Sequence, residues 1–221
     1  MSPHRSLYDD SPQGAWDAMR RGNARFVAGQ PYHPRQDVDR RHELAAGQKP
    51  LAALFGCSDS RLAAEIIFDK GLGDLFVIRN AGQVSSDSVV GSLEYAVSVL
   101  GVPLIVVLAH DECGAVRAAI DSTTVDAPDL PANIWRQIAP IVPAARRVLR
   151  ASADATPETL DPEHVGREHL RDTVSDILSS SELISGLVAA EKLAIVGANY
   201  RLAEGTVVPD IIVGPATDAG A

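Results

Sequence analysis

Apolar positions along this chain change period several times, and each change predicts an element. Residues 51–56, 75–78 and 104–109 are short, nearly unbroken apolar runs, the pattern of parallel strands covered on both faces. Between them the apolar residues spread out to helical spacing. Leu62, Ala63, Ile66, Ile67 and Phe68 predict a short helix stopped by Gly71 and Gly73; Val89, Val90, Leu93, Tyr95, Ala96 and Val99 predict a longer one over 86–100 that ends at Gly101. The outcome is a βαβαβ alternation. A further strand is expected at 193–197, and residues 200–208 read as a hairpin that extends the sheet antiparallel. Helical spacing also marks 114–120, 134–149 with interruptions at Pro140 and Pro143, and 162–178, whereas 121–131 reads as a surface loop.

At the N-terminus, Ser11-Pro12 has the form of an N-cap followed by proline at the first helical position. Trp16, Met19, Phe26 and Val27 then form an apolar stripe that ends near Gly29. That stripe has two readings, core of the same chain or an arm packing on another subunit. A second, polar helix is expected over 37–46, with Gly47 as its stop. With no repeat or linker in view, the pattern is that of one α/β domain over 1–221. It has a mostly parallel central sheet flanked by helices, an antiparallel C-terminal strand, an N-terminal helical arm over 1–47 and a flexible tail over 214–221.

Charge narrows the partners. The chain carries 29 acidic against 20 basic residues, a net charge of −9, which argues against nucleic acid, whose phosphates reward clustered Lys and Arg. No apolar stretch reaches the length of a membrane span, and no secretory leader is visible. Two cysteines in 221 residues are too few for a disulfide framework, so a reducing, cytoplasmic setting is expected, with small solutes or proteins as partners.

In doubly wound sheets, functional groups gather at the carboxyl ends of strands near a topological switch point. Cys57, His110 and Cys113 each fall just after a predicted strand. Two thiolates and one imidazole suit zinc and leave a fourth position for water. Because the thiolates neutralise the dication, an alkaline activity optimum is expected. The alternative is two inert buried thiols and a hydrogen-bonded core histidine. Asp59 and Arg61 lie two and four residues beyond Cys57; they form either a local ion pair or a functional dyad beside the metal.

The strings Cys57-Ser58-Asp59-Ser60-Arg61, Gly73-Asp74-Leu75-Phe76-Val77-Ile78-Arg79-Asn80-Ala81-Gly82, Glu94-Tyr95-Ala96-Val97 and His110-Asp111-Glu112-Cys113-Gly114-Ala115 together resemble the β-class carbonic anhydrases over roughly residues 12–213. The resemblance implies a zinc lyase, one zinc per chain held by Cys57, His110 and Cys113, in which zinc-bound hydroxide hydrates carbon dioxide reversibly to bicarbonate and a proton. It implies that Asp59 pairs with Arg61 in an open state and becomes the fourth ligand in a closed one. It further implies that Gln48, Phe76, Tyr95 and Gly114 line the carbon dioxide pocket, the aromatic residues coming from a neighbouring subunit, and hence a homodimer or a tetramer made of two such dimers. The chain departs from the family in two places. Leu54, Arg79 and Tyr95 stand where one subgroup has an inhibitory bicarbonate site built on tryptophan, arginine and tyrosine, so the tryptophan is missing. Asp111 and Glu112 place two carboxylates directly after the histidine. For a proton shuttle, His4, His33, His42, His164 and His169 qualify by residue type alone. The same zinc chemistry would also serve hydrolysis of carbon disulfide or carbonyl sulfide, and a non-catalytic sensor of bicarbonate or pH is a third reading.

Overall fold

The computed structural model describes residues 9–127, 129–151 and 154–218. Its centre is a five-stranded sheet in the order β2-β1-β3-β4-β5. Strands β1 (Ala52–Cys57), β2 (Leu75–Asn80), β3 (Leu104–His110) and β4 (Ala194–Tyr200) run parallel, and β5 (Val207–Val213) pairs antiparallel with β4. Pro209 stands in this edge strand, beside the register shift at Gly197/Ala198, where a missing N–H is tolerated. The mostly parallel sheet expected from the sequence is therefore present, with strand ends one to three residues beyond the apolar runs.

Alternation along the strands separates two cores. Leu54, Leu104, Val106 and Leu108 face one layer with Trp16, Met19 and Ile120, while Ala53, Phe55, Ile105 and Val107 face the other with Leu93, Leu170, Val174 and Ile177. The inner strands β1, β3 and β4 are buried at every position, which is why they read as continuous apolar runs rather than alternating ones.

Helix α1 (Pro12–Val27) starts as expected: Ser11 Oγ accepts from Gly14 N at 3.0 Å, and proline occupies the first turn. Of the two readings of its apolar stripe, the chain adopts the first, since Trp16 and Met19 are wholly buried in its own core. The helix is held by Asn23, whose side chain donates to Ile67 O at 3.1 Å and Gly205 O at 2.8 Å and accepts from Val207 N at 2.9 Å. Gly22 allows the close approach, because a Cβ there would lie 1.8 Å from Phe68 O. By contrast α2 (Val38–Leu44) buries no residue. Residues 214–218 lie against α1. Ala216 is buried, Thr217 N donates to Gln13 Oε1 at 2.8 Å, and Asp218 pairs with Arg20 at 3.4 Å. These contacts fasten the segment to α1; positions 219–221 lie outside the described residues.

The remaining helices flank the sheet: α3 (Ala64–Ile67), α4 (Asp87–Ser98), α5 (Gly114–Asp121), α6 (Ala132–Ile138), α7 (Val142–Ala151), α8 (Pro162–Ser180) and α9 (Glu182–Ala189). Pro140 sits in a one-turn 3-10 segment between α6 and α7, so the expected helix over 134–149 is two helices. Among the described residues, no helix is long and apolar enough to cross a membrane.

Candidate metal centre

Strand β1 has β2 on one side and β3 on the other, so the chain reverses direction across the sheet at the β1/β3 boundary, the place past the carboxyl ends where sheets of this kind bind ligands. Cys57 ends β1, His110 ends β3, and Cys113 precedes the first turn of α5. Their donor atoms lie within 4.8 Å of one another and all three residues are buried. A single zinc ion about 2.0–2.3 Å from each would span that separation.

The orientation of His110 supports the same use. Its Nδ1 lies 2.7 Å from Asp111 O, so Nδ1–H donates to that carbonyl and Nε2 keeps its lone pair. Nε2 is buried and has no hydrogen-bond partner among the described residues. An unpartnered buried acceptor aimed at two thiols has the chemistry of a metal ligand. Gly82 N donates to Cys57 Sγ at 3.3 Å. The hydrogen bond with Cys113, aided by His110 and Gly82, draws the Cys57 thiol well below its ordinary value; the same contact, together with burial, pushes Cys113 up. A dication at this point would take both sulfurs as thiolates.

Beside the three donors, Arg61 grips Asp59 with two parallel bonds, Nε to Oδ1 at 2.9 Å and Nη2 to Oδ2 at 2.7 Å, and Arg61 N adds a third to Oδ1 at 2.9 Å. That grip holds the Asp59 carboxyl far below the usual carboxylate range. The carboxylate is turned to the guanidinium and is not one of the three clustered donors.

The sequence profile of the carbonic anhydrase family matches residues 52–207, which contain all five of these residues. This chain belongs to the carbonic anhydrase family. It is 50% identical over 198 residues to carbonic anhydrase 2 of Mycobacterium tuberculosis, covering 90% of this chain and 92% of that one. The structure of the β-carbonic anhydrase CcaA superposes with a TM-score of 0.67 at 26% identity, covering 90% of this chain and 99% of CcaA. A tetrameric β-carbonic anhydrase of the ascomycete Sordaria macrospora gives a TM-score of 0.67 at 23% identity over 86% of this chain and 93% of its own. The fold is thus that of the β-carbonic anhydrases.

Other residues that matched the carbonic anhydrase pattern separate into two groups. Gly114 opens α5 directly after Cys113 and is exposed, and a Cβ there would meet nothing within 4 Å. Phe76, Tyr95 and Gln48 are not brought to it within one chain. Phe76 pairs with Ala53, four residues before Cys57 and so about 13 Å back along the strand at ~3.3 Å per residue. Tyr95 stacks on Phe76 with centroids 6.1 Å apart and remains 46% exposed. Gln48 is exposed in the loop that enters β1 from its amino end.

Leu54, Arg79 and Tyr95 do not form a group either. Leu54 is buried in one layer, whereas Tyr95 meets Phe76 on the other. Arg79 is engaged elsewhere: Nε donates to Cys57 O at 2.9 Å and Nη2 to Asp59 O, which fixes the loop between ligand and dyad. Asp111 turns from the metal site, accepting from Leu202 N at 2.9 Å. Glu112 is exposed, with φ of 51°. Of the candidate shuttles, His33, His42 and His164 are exposed, His169 is buried, and His4 lies outside the described residues. His169 Nε2 lies 2.8 Å from Gly82 O, and burial lowers its pKa, so this neutral ring braces the turn that donates to Cys57. Sequence reasoning missed that brace and the roles of Gly82 and Arg79; a glycine directly after a strand-ending Arg-Asn-Ala was the visible sign.

Proposed function

We propose that this carbonic anhydrase hydrates carbon dioxide reversibly to bicarbonate and a proton, with one zinc per chain held by Cys57 Sγ, His110 Nε2 and Cys113 Sγ. The observation that carries the reading is the convergence of three buried donor atoms, one of them an unpartnered imidazole nitrogen, next to the Asp59–Arg61 pair. When bound there, zinc would lower the pKa of a coordinated water and so supply the nucleophile, less strongly than at a site of neutral ligands because two thiolates offset its charge. Arg61 keeps Asp59 ionised, and Asp59 serves as acceptor for the attacking water, orienting it toward carbon dioxide. Released from Arg61, Asp59 would instead take the fourth ligand position and close the site. The backbone of Gly114, directly after Cys113, lies against the bound substrate. Phe76, Tyr95 and Gln48, remote from the donors of their own chain, complete the pocket of a neighbouring subunit. The assembly is accordingly a homodimer or, as in the Sordaria relative, a tetramer. The chain acts as a single domain over 1–221 in the cytoplasm, where two free buried thiols stay reduced and available to metal.

Metal analysis and stopped-flow hydration of carbon dioxide test the ligand set. Cys57→Ala, His110→Ala and Cys113→Ala should each lower zinc well below one per chain and abolish hydration. Unchanged zinc content in any of them overturns the assignment.

A further inference from the structure

Cations gather at one place remote from the metal centre. A cleft of about 210 Å³ between α1, the loop that follows it and the turn that precedes β2 is lined by Arg21, Arg25, Tyr32, Arg35, Asp69 and Lys70 among others. Asp74 pairs with Arg35 at its edge. Four cations thus face two carboxylates, an excess of two positive charges, on a chain whose net charge is −9.

Most of these groups are fixed before anything binds. Arg25 Nε bonds Asp69 Oδ2 at 2.6 Å, and its guanidinium lies 4.5 Å above the Tyr32 ring. Asp69 is also tied down by the backbone N–H groups of Tyr32 and His33, the latter at 2.9 Å, so its carboxylate is committed to the wall. Lys70 is only 2% exposed and donates from Nζ to Ala18 O at 2.9 Å. Burial and the neighbouring Arg25 and Arg35 bring its pKa down to about 8, against Asp74 and Asp69. Arg21 is exposed at the mouth of the cleft and makes no hydrogen bond or ion pair among the described residues. Two residues of the wall, Arg35 and Asp69, hold left-handed φ values of 53° and 46°, a backbone cost often found where a ligand is clamped.

The occupant must be small, since the cleft falls short of the roughly 300 Å³ at which sites for drug-sized ligands begin. It must also be an oxyanion, since guanidinium forks match the oxygens of phosphate and carboxylate groups. Two excess charges favour a dianion. We propose that this cleft binds a phosphate dianion, either free inorganic phosphate or the phosphoryl group of a small monoester, and so fastens α1 to the turn leading into β2. The anion meets Arg21 at the mouth and the positive field of Arg25, Arg35 and Lys70 within.

Calorimetric titration of the zinc-loaded protein tests the proposal, with inorganic phosphate in one arm and glycerol phosphate in the other. Binding of either supports it, and the tighter arm identifies the source. Arg21→Gln should weaken binding about tenfold, the loss of one charge-assisted contact, and Arg21→Glu should weaken it further. Both variants should keep the parent's zinc content and rate of hydration, which separates the cleft from any phosphate bound at the metal. Absence of heat in both arms at millimolar anion overturns the proposal. So does unchanged phosphate affinity in Arg21→Glu.

Discussion

One side chain at the metal centre has two possible employers. Arg61 holds Asp59 through both carboxylate oxygens and keeps it ionised to well below neutral pH, so on the proposed reading the site stays open while that pair lasts. Asn in place of Asp59 keeps the size and one carbonyl oxygen but removes the charge. Asp59→Asn should therefore retain zinc yet alter the pH profile of carbon dioxide hydration and lower its rate; an unchanged profile removes Asp59 from any gating role. Residue types exposed much of this site in the sequence, because Cys57, His110 and Cys113 all follow apolar runs and Asp59 and Arg61 are adjacent. Their orientation was not legible. That His110 offers Nε2 depends on its Nδ1 reaching the Asp111 carbonyl, and that Asp111 turns away depends on Leu202 N, ninety-one residues later.

The turn leaving β2 is the element that joins the metal centre to the helical layers. Gly82, with φ of 80°, places its N–H on Cys57 Sγ and its carbonyl on His169 of α8. A Cβ there would come within 2.8 Å of Ala115 and 2.9 Å of Ile141. Gly82→Ala should thus destabilise the fold by about 1–3 kcal/mol in denaturant unfolding, through left-handed strain and overpacking. It should also weaken zinc retention against a chelator, since the displaced turn can no longer support Cys57. Wild-type values for both would show the turn to be incidental. Elements with a sharp period were legible along the chain: β1, β3 and α4 fall within three residues of their expected limits. Helix α9 was missed because Ser181 ends α8 and begins α9 at once, its Oγ accepting from Ile184 N and donating to Glu94 Oε1; that double duty leaves no loop to read.

For the whole molecule, a neutral histidine sealed inside sets a limit in acid. Burial lowers the folded-state pKa of His169 below its ordinary 6.5. The unfolded chain therefore binds the proton first, and the contribution of His169 to stability is complete above about pH 6.5 and lost as pH falls toward the folded value. Unfolding free energy should decline on acidification below that point, and His169→Gln should flatten the decline; an equal slope in both proteins would rule the ring out as its source. At this scale the sequence alone determined the layer order and the chemistry. Strand-length apolar runs alternating with helical ones require a covered parallel sheet, and two thiols with an imidazole at strand ends define a metal-ligand set, because period and donor type are local properties. Tertiary structure decided which ends meet: the three candidate metal donors converge because β1 and β3 lie side by side at the sheet's reversal point. It also decided that α1 packs on its own chain and that Phe76 and Tyr95 lie far from the metal-ligating residues of their own chain. Contacts of that kind join residues tens to hundreds of positions apart, and no periodicity along a chain encodes them.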